Sequence, residues 1–192
     1  MLGARDPLPM RPARVIVAGT SGSGKSTLAA AIGAALAIPY VEVDALYHGP
    51  GWVPRPEFDA DIAGLAARDA WAAEWQYDTG RPVLGARADL AVWLDLPHAL
   101  VMRRVVARTV HRRARGLELW NGNREAALRT VLTDRDHILR WAWRTRGATG
   151  PRVLALAAER PDLTVVRLRS AREVQAWLRG PLADAASAGS PR

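Results

Sequence analysis

Short apolar runs alternate along this chain with longer amphipathic stretches. Arg14 to Ala18 (R-V-I-V-A) reads as a buried strand of β-branched residues entering a glycine-rich turn. Lys25 to Ala37 predicts an alanine-rich helix, stopped by Pro39, and Tyr40 to Val43 a second strand. The glycines and prolines of His48 to Pro56 predict a loop. Glu57 to Arg68 places Phe58, Ile62 and Leu65 on one stripe, the pattern of an amphipathic helix. Ala70 to Glu74 and Ala91 to Leu96 predict strands three and four, the latter ended by Pro97. A helix over His98 to Arg115 follows, then a loop over Leu117 to Asn123 with the turn signal Asn121-Gly122. Arg124 to Thr145 predicts a long helix, which Gly150-Pro151 breaks from the next, Arg152 to Glu159. Leu163 to Leu168 is a fifth strand, and Ser170 suits the N-cap of a last helix to Leu178.

Strands alternating with helices imply an α/β fold: a five-stranded, mostly parallel sheet with helices on both faces. Ligands of such sheets bind beyond the carboxyl ends of the strands. Gly19, Asp44, Glu74 and Asp95 are thereby expected near one crevice. Residues 13–180 are read as a single domain, with a flexible N-terminus over 1–12 and a flexible tail over 181–192.

Composition narrows the class. With 192 residues, 49% of them hydrophobic and 24% charged, the chain can bury a real core. No apolar run approaches the roughly 18 residues of a membrane span, and Met1 to Pro12 lacks the apolar stretch of a secretory signal. A cytoplasmic protein without membrane contact, monomeric or dimeric, is therefore expected. The absence of cysteine excludes disulfides and thiolate metal sites. The net charge of +8 suits an anionic partner, but an arginine-for-lysine bias across the chain accounts for it equally well. Against that bias, the one lysine, Lys25, lies in the glycine-rich turn, where a compact ammonium serves better than a planar fork.

Gly19-Thr20-Ser21-Gly22-Ser23-Gly24-Lys25-Ser26 fits the phosphate-loop pattern G-x-x-x-x-G-K-S/T without exception. Its glycines let successive amides turn inward as an anion nest, and the following helix adds its positive end. The pattern predicts a nucleoside triphosphate, taken as ATP, bound with Mg²⁺. Lys25 would reach the β- and γ-phosphates, Ser26 would complete the metal shell, and Thr27 would lie near the α-phosphate. No Asn-Lys-x-Asp guanine motif follows the fourth strand. The expected architecture is the three-layer sandwich of P-loop NTPases.

The order of elements resembles the nucleoside-monophosphate kinase group. More closely, it resembles the family labelled adenylate-kinase-like or DNA topology modulation protein (FlaR-like). The resemblance rests on V-A-G-T-S-G-S-G-K-S-T from Val17 and V-E-V-D-A-L-Y-H-G-P-G-W from Val41. It extends to V-W-L-D-L-P from Val92, E-L-W-N-G-N-R-E from Glu118 and R-W-A-W-R-T from Arg140. The Asp44 to Trp52 and Trp120 to Glu125 segments are its specific part, and the whole covers nearly the entire chain. It implies ATP-dependent phosphoryl transfer to a nucleotide or other small acceptor, with an acceptor insertion at about 46–69 and a small lid at about 112–125. One position departs from the family: where an acidic residue is commonly followed by Gly-Asn-Tyr, this chain has Glu74-Trp75-Gln76-Tyr77. A tryptophan in place of glycine is expected to block or reshape the acceptor pocket.

Phosphoryl transfer needs metal positioning, an oriented nucleophile and positive charge around the transferred group. Glu74 is the candidate for orienting the Mg²⁺ shell, and Asp44 for taking the acceptor's proton or binding its sugar. Asp95 is read as capping the turn into the next helix. Arg104, Arg108, Arg112 and Arg115 share a helix face, either as a solvated stripe or as a lid over phosphates. Arg112 and Arg124 are the lid candidates. Arg81 and Tyr77 are placed on the acceptor side, with Arg81 suited to clamp a phosphate. His48 is placed there too, or in a structural role. Trp120 is read as core or as a stacking platform, Trp93, Trp141 and Trp143 as core, and Arg172 as a base contact. The rivals to a kinase are a DNA-associated P-loop ATPase and a nucleotide-binding regulator without turnover. Nucleic acid is not favoured, because the chain shows neither a helix-turn-helix signature nor a basic tail.

Overall fold

Along the first strand, Val15 and Val17 face one hydrophobic cluster and Ile16 and Ala18 the other. This alternation is the period of two inherent to a strand, and it makes the strand the centre of a sheet covered on both sides. The computed structural model describes residues 1–116, 118–123, 143–145 and 147–188.

The strands are β1 (Arg14–Gly19), β2 (Tyr40–Val41), β3 (Trp71–Glu74), β4 (Leu90–Leu94) and β5 (Thr164–Leu168). They form one sheet in the order β2-β3-β1-β4-β5, with every pairing parallel. Helix α1 (Lys25–Leu36) and helix α5 (His98–Ala114) cover one face through Leu28, Ile32, Val101 and Val105. Helices α3 (Phe58–Ala66), α4 (Gly80–Arg87) and α6 (Thr149–Glu159) cover the other through Ile62, Leu84 and Val153. The result is the expected three-layer α/β sandwich. Among the described residues no helix is long and apolar enough to cross a membrane.

Several sequence expectations are corrected. Strand β2 ends at Val41, and Val43–Tyr47 forms the short helix α2, so Asp44 sits on a helix turn instead of a strand end. Helix α4 lies in a stretch to which the sequence pattern assigned no element, and it contains Gly80, Pro82 and Gly85, all poor helix formers. Pro82 lies within its first turn, where a missing N–H costs no helical hydrogen bond. For the same reason Gly150-Pro151 does not break a helix; both residues lie in the first turn of α6. Trp143, read as core, is 58% exposed.

Leu2 and Pro181–Ala188, both within segments read as flexible, pack onto the domain. Leu2 donates to the Val165 carbonyl (2.7 Å) and accepts from the Arg167 amide (2.9 Å), extending the sheet beside β5. Beyond helix α7 (Ala171–Arg179), Pro181–Ala188 forms helix α8 and buries Leu182 completely. Small residues gave that tail a polar look, but Leu182 and Ala185 are spaced to face the core together. Ser170 caps α7 as expected, accepting from the Glu173 amide at 3.1 Å. Arg124, Trp141 and nearly all of the helix expected from Arg124 onward lie outside the described residues.

Candidate active site

The loop between β1 and α1 needs its glycines for different reasons. Gly22 (φ 82°) and Gly24 (φ 98°) are in left-handed conformations. A Cβ on Gly22 would also overlap the Val105 side chain, whereas one on Gly24 would meet open space. Helix α1 opens directly at Lys25 without a side-chain cap, leaving its first amides to the cleft. Lys25 Nζ donates to the Thr20 carbonyl at 3.3 Å. Burial lowers the Lys25 pKa, opposed by the negative charges of Asp44 and Glu74, while Arg108 adds to the lowering.

A cleft of about 1290 Å³ opens over this loop, lined by Gly19 to Gly22 and Gly24 to Thr27. Ser23 is the exception within the predicted set. Its amide donates to the Thr20 carbonyl (3.1 Å) and its side chain is buried, so it does not line the cleft. The cleft continues past Asp44, Tyr47, His48 and Tyr77 on one side and Arg104, Arg108 and Arg112 of α5 on another. That volume exceeds a typical single-ligand pocket, enough for a nucleotide and a second small molecule together.

Asp44 is held by two donors on one oxygen: Gln76 Nε2 at 2.7 Å and the Tyr77 hydroxyl at 2.5 Å, both to Oδ1. The Tyr77 oxygen also lies 3.1 Å from His48 Nε2. A phenol has one proton, and it goes to the carboxylate, so His48 donates here through its Nε2–H tautomer. Tyr77 adopts φ 64° to make this reach, a conformation rare for a bulky residue and found at constrained sites. It stacks on Tyr47 with ring centroids 3.8 Å apart. Burial and the adjacent Asp44 raise the Tyr77 pKa, and burial lowers that of His48 against the pull of Asp44.

Glu74 does not line the cleft, which departs from its expected place beside the metal shell. It is completely buried, with Oε1 accepting from the Tyr40 hydroxyl (2.7 Å) and Oε2 from the Val43 amide (3.0 Å). Its strand end points under the cleft instead of into it, because β2 and α2 close over that edge of β3. Tyr40 joins Glu74 to the loop: burial and Glu74 raise its pKa, and a hydrogen bond with Ser26 acts in the opposite direction. The cleft itself offers hard oxygen donors, the Ser26 hydroxyl and the Asp44 carboxylate. These fit Mg²⁺, which takes one or two protein oxygens and completes its octahedron with water and phosphate.

Arg81 and Arg152 line the same cleft from the first turns of α4 and α6. Both pair with Asp78, Arg152 at 3.9 Å, and that carboxylate is 88% exposed. Burial and the neighbouring Arg152 together lower the Arg81 pKa, so the two cations are only partly compensated. Trp75 supports this wall: its indole Nε1 donates to the Arg81 carbonyl at 2.9 Å, and the ring is buried against Gly85. Trp75 is itself among the residues that line the cleft.

Of the predicted residues, the structure brings Lys25, Asp44, His48, Tyr77, Arg81 and Arg112 to one cleft. Arg172 is exposed on the first turn of α7 and does not line it, and Arg124 lies outside the described residues. Asp95 does not cap α5, which has no side-chain cap; it pairs instead with Arg167, which lies over the Trp93 ring at 4.4 Å. The sequence reading missed Tyr40, Trp52, Asn123 and Arg152. Only Trp52, an aromatic between prolines, carried a visible signal.

No family model matches the chain, and no curated protein matches it. Solved structures do. A gluconokinase from Sinorhizobium meliloti superposes with a TM-score of 0.53 at 22% identity, over 93% of this chain and 96% of that one. A sugar kinase from Janibacter sp. gives 0.44 at 20% identity, over 94% and 92%. A shikimate kinase from Acinetobacter baumannii gives 0.47 at 14% identity, over 92% and 89%. At 22% identity the likeness to the gluconokinase shows the fold alone: the two chains share a parallel α/β architecture.

Proposed function

We propose that this protein is an ATP-dependent phosphotransferase that moves the γ-phosphoryl group to a hydroxyl of a small, anionic acceptor. The observation that carries this reading is the placement of Asp44 in the same cleft as Lys25 and the phosphate loop. A protein that only holds a nucleotide needs no carboxylate aimed at the space beyond the phosphates. The resemblance to the adenylate-kinase-like, FlaR-like family supports the same reaction class.

In the reaction, Asp44 accepts the proton of the acceptor hydroxyl as its oxygen bonds to the γ-phosphorus and the bond to ADP breaks. Gln76 and Tyr77 hold one oxygen of Asp44, leaving the other for the acceptor. The loop amides and Lys25 take the phosphate charge, and Arg104, Arg108 and Arg112 add positive charge from α5. Ser26 would hold Mg²⁺, which would supply positive charge against the phosphates. Arg81 and Arg152 face the acceptor and select a carboxylate or phosphate on it.

The test is a matched acceptor panel read by ADP release. Gluconate is paired with glucose, and nucleoside monophosphates with their nucleosides. Turnover with an anionic member and not with its neutral partner is expected. Equal turnover of both partners would remove the arginine assignment. Hydrolysis stimulated by DNA, with no acceptor-dependent release, would overturn the kinase reading in favour of a DNA-associated ATPase.

A further inference from the structure

Two segments about seventy residues apart meet at the far side of the cleft. One is the turn over 48–54, which follows α2 and closes with a bridge between His48 and Pro54. The other is the short 3₁₀ turn Trp120–Gly122 with Asn123 behind it. Asn123 is buried and uses both ends of its amide. Its Nδ2 donates to the Gly49 carbonyl (2.8 Å) and to the Trp120 carbonyl (2.9 Å). Its Oδ1 accepts from the Trp52 amide at 3.0 Å. Asn121 Nδ2 adds a bond to the His48 carbonyl at 2.5 Å.

These bonds add to those each turn makes within itself, from the Gly49 amide to the Val53 carbonyl (2.8 Å) and from the Leu119 amide to the Asn123 carbonyl (2.7 Å). Trp52 (φ 62°) and Asn121 (φ 54°) are both left-handed, as are Gly51 and Gly122 beside them. Such conformations persist only where surrounding contacts over-determine them. Here three of those contacts cross from the opposite segment: Trp52 amide to Asn123, Asn123 to the Gly49 carbonyl and Asn121 to the His48 carbonyl. The outcome is a continuous aromatic wall: the His48 and Trp120 rings stack at 6.0 Å, and Trp52 stands edge-on to both. All three line the cleft, and the His48 ring reaches the Tyr77 hydroxyl that holds Asp44.

We infer that Asn123 is a positioning residue for the acceptor: it clasps the 118–123 segment to the 49–52 turn, so that His48, Trp52 and Trp120 form a preset acceptor wall. The 118–123 segment thereby serves acceptor recognition, and nucleotide binding at the phosphate loop is independent of it. The inference rests on the phosphotransferase reading for the word acceptor, and on hydrogen-bond geometry for the clasp itself.

The test compares the full-length wild type with Asn123→Ala and Asn123→Asp. The aspartate keeps the acceptor for the Trp52 amide and loses both donations. Amide hydrogen exchange over 48–54 is expected to rise about tenfold in Asn123→Ala and less in Asn123→Asp, with residues 19–27 unchanged. The dissociation constant for a non-hydrolysable ATP analogue with Mg²⁺ should stay within about twofold of wild type. With the panel compound that wild type phosphorylates fastest, KM for that compound should rise about tenfold while KM for ATP stays put. Unchanged exchange over 48–54 would overturn the clasp. Parallel losses for ATP and acceptor would overturn the positioning role. Failure of the wild type to phosphorylate any panel compound would strike the phosphotransferase reading, while the exchange result still decides the clasp.

Discussion

Replacing Tyr40 by phenylalanine removes one oxygen and leaves a buried carboxylate half satisfied. Glu74 is completely buried, and the Tyr40 hydroxyl, 2.7 Å away, is the partner of Oε1. After the substitution, only the bond from the Val43 amide at 3.0 Å remains. Stranding a buried polar acceptor costs about 1–3 kcal/mol, with a charged one at the upper end. In a domain of this size each kcal/mol lowers the melting temperature by roughly 2–4 °C, so a fall of roughly 4–10 °C is expected. The urea midpoint should move with an unchanged m-value, since the surface exposed on unfolding is the same. A double-mutant cycle isolates the interaction. Glu74→Gln alone removes the charge, and with it most of the penalty that Tyr40→Phe creates, so the two substitutions should be strongly non-additive. Additive effects, or a cost under about 0.5 kcal/mol for Tyr40→Phe, would refute the claim that this pair anchors β3 beneath the cleft.

Further outcomes follow from the same geometry. Asp44→Asn should lower kcat by about 10²- to 10⁴-fold while affinity for the ATP analogue changes little, measured by steady-state kinetics and titration calorimetry. Gly22→Ala and Gly24→Ala should differ: Gly24→Ala carries only the left-handed strain of roughly 1–2 kcal/mol, whereas Gly22→Ala also displaces Val105 and should abolish nucleotide binding. The raised pKa values of Tyr40 and Tyr77 mean that the folded state keeps these protons more tightly than the unfolded chain. Their contribution is therefore full below the ordinary tyrosine pKa of about 10 and is lost as pH rises beyond it. The urea midpoint should fall more steeply above pH 10 in wild type than in Tyr77→Phe.

The legible part of this protein is the part whose chemistry is local. The phosphate loop is written in eight consecutive residues, because a nest of amides and one lysine need only their own backbone to form. The strands β1 and β4 were readable because strands buried on both faces are nearly continuously apolar. The order of elements was sufficient for the layered α/β class, and it pointed to Asp44 and Tyr77 before their contact was visible. What the sequence by itself did not determine is every feature set by residues distant along the chain. Glu74 looked like a cleft carboxylate from its strand-end position. Only the closing of β2 and α2 over β3 turned it inward to Tyr40 and the Val43 amide. Arg152 entered the sequence reading only as the start of a helix, and its place beside Arg81 is set by how α6 packs. Asn123 lay unnoticed next to a turn signal, since an asparagine that clasps two segments has no pattern of its own. Hydrogen bonds between segments about seventy residues apart depend on where the sheet and helices put their backbones, and that is decided only when the tertiary structure forms.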